Sequence, residues 1–489
     1  MSFVPRRIRH IYSKEGFRGP VATLLSGTAL SLGLSYLAVP ILTRLFTPAE
    51  FGVSDYFVMM LSVLIAFSSL RYEDAIMLPR DDGDAARIVI LCILLTALTA
   101  VLLTVASLFS EGVAALLGVD AIAPWLWLLA PTLLLMRVVK LGELWVTRER
   151  EFRHSAGAEL VNKVVMVSSR VGSGLWTTLG AGGLIGGFTA GQVAGAAYYA
   201  AVLGRRASAF LGTHRPLDGL RDQARRYKRF PLYAMPASLL NAVVARLPVL
   251  LLPLFFSLET LGLFGRAFVA LAVPLGLVGN AVSQVFFVHA VDAHREGRLG
   301  ELTRLVHDRL VMLGVFPALM LVFLGPELFE FVFGRAWRAA GVFEQWLAVW
   351  FFSAAVASPL TRLFDVLERQ RLELVMSFVA FVVLGAALVA GGRMGDDVLV
   401  MALIGIAGTS VRILHIGVMM RLAGVSFRAA LRPYVRYGAL SLPFILPIFW
   451  IRTILPLWAI AVIAAFLGGM YFAVVLWRNR LLAIRPSDG

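Results

Sequence analysis

The distribution of positive charge constrains this chain more than any other feature. The sequence breaks into about fourteen apolar stretches of roughly 20 residues, each long enough to cross a bilayer as a helix. With Met1 placed in the cytosol, the connections between them sort by charge. Of the 45 Lys and Arg residues, 28 fall on inner loops and tails, and five fall on outer loops: Arg44, Arg335, Arg338, Arg393 and Arg452. The other twelve lie within spans or at their ends. This asymmetry predicts a multi-pass protein of the bacterial inner membrane with both termini cytosolic.

Composition excludes other classes. With 59% apolar and 15% charged residues and a mean hydropathy of +0.82, the chain lies far from a soluble domain. Its net charge of +15 would suggest nucleic acid in a soluble protein. Here the charge sits on short loops facing headgroups, so the expected partners are anionic membrane lipids and not nucleic acid. The single cysteine, Cys92, lies within an apolar span, which rules out an internal disulfide, and the His residues lack ligand spacing. No metal site or cofactor is expected. The apolar run from Val21 to Thr43 is too long for a signal-peptide core and is expected to remain as the first helix.

The predicted fold is all-α, with spans at 21–43, 53–72, 87–109, 122–146, 159–178, 183–203, 231–254, 262–287, 310–333, 342–364, 372–391, 398–421, 434–451 and 456–477. They group as two pseudo-symmetric six-helix bundles plus two C-terminal helices. The N-lobe is 1–203, a basic cytosolic linker occupies 204–230, and the C-lobe is 231–421. The final pair lies in 434–477, and a cytosolic tail covers 478–489. Internal duplication supports the plan. Helix 1 exits as LFTPAEFG (Leu45 to Gly52) and helix 7 as FFSLETLG (Phe255 to Gly262), at a constant offset of 210. An even helix count per half gives both halves the same orientation, with the pseudo-twofold along the membrane normal.

Three segments carry a family resemblance. PILTRLFTPAEFG (Pro40 to Gly52), SLRYEDAIMLPRD (Ser69 to Asp81) and FGRAWRAAG (Phe333 to Gly341) resemble segments of bacterial polysaccharide and O-antigen (Wzx-type) flippases. These form a branch of the multidrug/oligosaccharidyl-lipid/polysaccharide (MOP) exporter superfamily. The resemblance implies transport of an undecaprenyl-diphosphate-linked oligosaccharide from the cytosolic to the periplasmic leaflet by alternating access, for surface polysaccharide biosynthesis. It also implies a groove for the lipid tail on the last two helices and possible partnership with polysaccharide polymerase machinery.

Local physics gives the motif residues structural roles as well. Pro48 holds Thr47 extended and ends helix 1, and Thr47 with Glu50 forms a capping box on helix 2. The segment is a tight outer hairpin, with gating roles for Arg44, Glu50 and Asp55 as the alternative. Arg71, Glu73 and Asp74 are expected to pair locally at the inner end of helix 2.

Charges deep in the membrane are costly unless they face a wet cavity or a partner. Arg137, Arg170, Arg246 and Arg412 fall near the middle of helices 4, 5, 7 and 12, and Arg266 lies on helix 8 with Asn280 and Gln284 deeper on it. Acidic residues at that depth are scarce, since Asp55, Glu143 and Glu159 sit nearer the ends. These seven cationic and amide residues therefore form the expected substrate cavity, suited to phosphate oxygens. For each Arg, pairing with carbonyls or with Glu143 or Glu159 is the structural alternative.

Two other functions compete with this one. A multidrug or toxic-compound cation antiporter would share the core but need buried carboxylates. A membrane polymerase or ligase would need a large periplasmic loop, and the longest, Ser110 to Ala121, has no His, Arg or Lys. No catalytic residue is expected, and no GxxxxGK[ST] motif signals ATP hydrolysis. A coupling ion, H+ or Na+, is left open.

Overall fold

Charged and proline-bearing turns interrupt the apolar runs near the places the sequence suggests. A computed structural model describes residues 14–213 and 219–483, with side chains from 30 to 204 and from 219 to 477 apart from positions scattered through 237–284. Fourteen helical regions follow in order: α1 (Lys14–Leu45), α2 (Pro48–Phe67), α3 (Asp82–Ser107), α4 (Leu129–Arg148), α5 (Phe152–Trp176), α6 (Ala181–Thr213), α7 (Met235–Ala245), α8 (Leu258–Arg295), α9 (Leu299–Phe333), α10 (Arg338–Leu360), α11 (Gln370–Met394), α12 (Asp397–Leu422), α13 (Phe427–Ile451) and α14 (Leu457–Ala483). Shorter helical turns join them, and the described residues contain no strand. The fold is all-α, as the apolar runs predict.

Nine segments among the described residues are long and apolar enough to cross a membrane, and Leu30–Leu45 adds a shorter apolar helix. Exposed side chains agree with a lipid solvent: α3 presents Leu94, Leu98, Val101, Leu102 and Val105, and α11 presents Leu374, Phe378 and Val382. Apolar stripes of this extent would not face water in a soluble protein. The molecule is a multi-pass membrane protein.

The chain divides into two compact units, Met1–Leu254 and Phe255–Gly489. In the first, α1 packs on α5, α5 on α6, α3 on α4, and α4 on α6. In the second, α10 packs on α8, α9 and α12, α11 lies on α12, and α13 and α14 cover α9. A continuous apolar core runs through α9, α13 and α14, where Phe316 stacks on Tyr471 at 4.5 Å between ring centres.

The packing boundary falls 24 residues beyond the end of the 204–230 linker that the sequence nominates, because α7 lies against α2 in the first unit. α7 also differs from the continuous 231–254 span expected. It stops at Ala245, and the chain resumes as Leu247–Leu251 followed by a tighter turn over Leu252–Leu254. Pro248 and Pro253 supply the reason, since proline lacks the amide hydrogen a helix interior requires and its ring crowds the preceding turn.

The duplicated exits keep their geometry. Thr47 caps α2 by accepting from the Glu50 amide at 3.4 Å, and the Glu50 carboxylate accepts from the Thr47 amide at 2.7 Å. This is the capping box expected from the sequence. At the offset of 210, Ser257 caps α8 by accepting from the Thr260 amide at 3.4 Å.

Candidate functional site

The SLRYED segment forms a tight turn after α2, with Leu70 and Arg71 both at positive φ (52° and 63°), a region that costs non-glycine residues energy. Charge holds the turn. Arg71 pairs with Asp74 at 2.9 Å, as the sequence suggests, and reaches Glu73 at 3.9 Å. Burial nevertheless pushes the Asp74 carboxyl above the usual carboxylate range, with Arg71 acting against that rise. Glu73 is buried, accepts from the Ser69 hydroxyl, and meets Arg137 from α4 at 3.1 Å. Arg137, only 1% exposed, also donates to the Ile65 carbonyl at 2.7 Å, Ser68 Oγ at 2.9 Å and Thr96 Oγ1 at 3.2 Å. It ties α2, α3 and α4 together rather than opening onto a cavity. Nearby, Arg148 holds Asp82 at 3.0 Å and the Ile76 carbonyl at 2.9 Å.

The other expected cavity residues are dispersed. Arg170 on α5 is half-buried and donates to the Leu184 carbonyl of α6 at 3.0 Å. Arg246 is half-buried at the break in α7, and its guanidinium has no hydrogen bond or ion pair among the described residues. The same holds for Arg412, half-buried on α12. Arg266 is half-buried on α8. The side chains of Asn280 and Gln284 lie outside the described residues.

At the proposed gate, Glu50 serves the cap, and Arg44 donates to the Pro40 carbonyl at 2.7 Å. Asp55 is half-buried on α2. Gly180, at φ +54°, lies against Glu50, and a Cβ there would stand 2.6 Å from Oε1. Lys140 pairs with Glu143 at 2.9 Å, so that carboxylate already has a cationic neighbour on its own helix.

The FGRAWRAAG segment forms the corner between α9 and α10. Gly334 sits at φ +101°, which a side chain would make strained, and Trp337 is fully buried. Arg338 holds Glu330 at 2.7 Å and Glu327 at 3.2 Å, while Arg335 lies 3.7 Å from Glu330. Arg452, at the end of α13, adds a contact to Glu327 at 3.6 Å and stacks over Phe449 at 4.2 Å. Gly341 crosses α9 at Gly325, where an added Cβ would come within 2.6 Å of the Pro326 backbone.

Sequence reasoning underestimated the buried acids. Glu73 and Glu327 are buried with cationic partners, and Glu344 on α10 is fully buried with no hydrogen-bond partner on either oxygen among the described residues. The expectation that deep acidic residues are scarce therefore needs correcting. Glu344 is followed by Gln345 and sits about two turns into α10, a place where position along the chain does reveal depth. Hydropathy could not show that Glu73 would turn inward, because the residue lies in a polar stretch.

A cavity of about 320 Å³ opens in the second unit between the start of α9 and the start of α13, lined by Arg304, Asp308, Arg432 and Arg436 among others. A second, of about 540 Å³, lies at the start of α11 beside Arg369 and Arg371. None of the expected cavity residues lines either one.

The sequence profile of a family described as "polysaccharide biosynthesis protein" matches residues 41–341, more than half of the chain. The chain belongs to that family. The match spans the cap at Thr47, the SLRYED turn and the FGRAWRAAG corner. No match was found among curated protein sequences. Among solved structures, the chain is similar to one titled lipid II flippase MurJ, inward closed conformation, at a TM-score of 0.72 and 10% identity over 94% of this chain and 99% of that one. It is also similar to an inward-facing multidrug resistance MATE family transporter of the MOP superfamily, at a TM-score of 0.62 and 14% identity over 80% and 94%. The family member therefore shares the fold of these two solved structures.

Proposed function

We propose that this protein is a flippase for a lipid-linked oligosaccharide, carrying an undecaprenyl-diphosphate-linked glycan from the cytosolic to the periplasmic leaflet of the inner membrane by alternating access. The single observation that carries the reading is a polysaccharide biosynthesis family match lying on a MOP transporter fold. Helices α13 and α14 suit the lipid tail, and both termini are placed in the cytosol by the charge asymmetry.

Within this reading, Arg246 is the leading phosphate-binding group. It stands at an interrupted membrane helix, where the broken backbone exposes polar groups that binding sites use. Its guanidinium is uncommitted among the described residues, and guanidinium forks match phosphate oxygens. Arg412 shares that lack of a partner, and Arg266, Arg170, Asn280 and Gln284 complete the proposed set. Arg137 is removed from it, because it is sealed from solvent by the ion pair to Glu73 and by hydrogen bonds to Ser68, Thr96 and a carbonyl.

The test is Arg246→Ala. Its expected outcome is near-normal membrane abundance with export stopped and oligosaccharide-lipid accumulating on the cytosolic side. Arg246→Lys distinguishes net charge, which would retain partial export, from fork geometry, which would not. Normal surface glycan at matched abundance would overturn the assignment.

A second reading, cation antiport, draws on Glu344. A fully buried carboxyl without a partner is the group a cation exporter would use, and exporters share this fold. Glu344→Gln with intact glycan export and lost resistance to organic cations would favour that reading over the first.

A further inference from the structure

The 320 Å³ cavity between α9 and α13 is lined by none of the residues proposed to hold the transported substrate, and its chemistry is specific. Arg304 comes from the second turn of α9, and Arg432 and Arg436 come from the second and third turns of α13. None of the three forms an ion pair among the described residues, although Glu301 and Asp308 share the lining. Asp308 is engaged, accepting from the Tyr437 hydroxyl at 3.0 Å. Arg436 lies over the Tyr437 ring at 5.1 Å. Beneath the cavity, buried His307 meets the Tyr434 hydroxyl at 3.3 Å, so α9 and α13 are fixed to each other where the arginines emerge.

The outer surface of α13 is organised around the same turns. Phe427, Leu431 and Val435 recur every four residues and are 70%, 47% and 62% exposed. Arg428, Arg432 and Arg436 form the adjacent stripe, each one residue further on. A helix carrying an exposed apolar stripe beside an arginine stripe at the end of a membrane span has the pattern of an interfacial segment. Acyl chains cover the first stripe, and headgroups meet the second. Arg432 and Arg436 are one turn apart, ~6 Å along the axis, comparable with the ~5–8 Å of headgroup layer on each side of a bilayer.

The geometry points to a binding site for the phosphodiester of an anionic phospholipid, held in the α9–α13 cavity by Arg304, Arg432 and Arg436 with its acyl chains along Phe427, Leu431 and Val435. Charge decides the class of headgroup. Three guanidiniums and two carboxylates leave the lining at a formal charge of +1, which balances one phosphodiester and not a diphosphate. Glu301 and Asp308 accept hydrogen bonds from a hydroxylated headgroup such as glycerol. The apolar stripe distinguishes a lipid from a free phosphate, which would gain nothing from it. The lipid is a fixed companion of the second unit and not the cargo, so the site stands independently of the flippase reading.

The experiment uses the full chain, purified, delipidated in detergent and examined by native mass spectrometry with added phosphatidylglycerol or phosphatidylcholine of the same acyl chains. The expected result is preferential retention of one phosphatidylglycerol. Arg432→Gln combined with Arg436→Gln should weaken it about thirtyfold, given the usual contribution of two basic residues near a membrane surface. Phosphatidylcholine binding should be unchanged. The double Lys variant should retain most of the preference, whereas Arg369→Gln with Arg371→Gln, in the other cavity, should not alter it. If the double Gln variant fails to fold by thermal melting, the single Arg432→Gln, at an exposed position, carries the test with a smaller expected loss. Equal retention of both lipids, or no loss on substitution, would overturn the proposal. Displacement of the lipid by an equal concentration of glycerol 1-phosphate would show a site for soluble phosphate and overturn the lipid assignment. Glycan export in the same variants is a separate readout, and its survival alongside lost lipid would leave the transport reading intact.

Discussion

The two units hold their charged turns together in different ways. In the first, Arg137 and Glu73 are both withdrawn from solvent, with side chains 1% and 5% exposed, and they clamp a turn whose backbone lies at positive φ. In the second, Glu327 is buried and Glu330 partly so, with side chains 9% and 13% exposed, while Arg335 and Arg338 are 94% and 49% exposed. One cluster is a sealed pair with the part-exposed Arg71 at its edge, 3.9 Å from Glu73, and the other is a rim on which several cations share two acids. Loss of a partner should therefore have unequal consequences. A sealed pair leaves an uncompensated charge behind, whereas a rim redistributes its contacts and admits water.

Breaking the sealed pair should produce the largest effect. Arg137→Ala leaves buried Glu73 with only the more distant Arg71 at 3.9 Å, and the expected cost is ~3 kcal/mol, measured as loss of thermal stability in detergent and of membrane abundance. The double variant Arg137→Met with Glu73→Leu should cost less than the single one, because both charges leave together. A double variant as unstable as the single would show that the carbonyl and hydroxyl bonds of Arg137, not the ion pair, hold the turn.

On the rim, Arg338→Ala should cost only ~1 kcal/mol, with Arg452 still near Glu327 and Arg335 near Glu330. Half-exposed pairs are screened, so the difference between wild type and variant should shrink as salt is raised. A cost equal to that of Arg137→Ala, independent of salt, would erase the distinction between the clusters.

The duplicated caps sharpen the comparison at the smallest scale. Thr47→Ala removes only the side-chain half of a reciprocal box, since the Thr47 amide still donates to Glu50, and should cost somewhat less than ~1 kcal/mol, while Ser257→Ala removes the whole of a one-bond cap and should cost ~1 kcal/mol. Melting of the two variants under identical conditions measures the difference. Equal losses would mean that the Glu50 carboxylate adds nothing to its cap.

Much of the architecture was legible because its causes are local. Pro48, Thr47 and Glu50 lie within four residues, and the physics of a helix start reaches no further. The span positions follow from runs of apolar residues, for the same reason. The partner of Arg137 was not legible, because Glu73 lies in a polar stretch of another segment, and periodicity on α4 says which face Arg137 occupies but not what meets it. The break at Arg246 was signalled by Pro248 and Pro253 and was still read as continuous helix, since the apolar run continues through both prolines.

By itself, then, the sequence determined the class of the protein, the number and order of its helices, the caps and the three family motifs. These depend on hydropathy, charge asymmetry and interactions within a turn or two. Tertiary structure alone decided which arginines are committed, that Glu344 is sealed without a hydrogen-bond partner among the described residues, that Gly341 meets Gly325, and that α9 and α13 enclose Arg304, Arg432 and Arg436. Each of these joins residues on different helices, and in a bilayer neighbouring helices are selected by close packing and polar satisfaction rather than by apolarity, which every span shares.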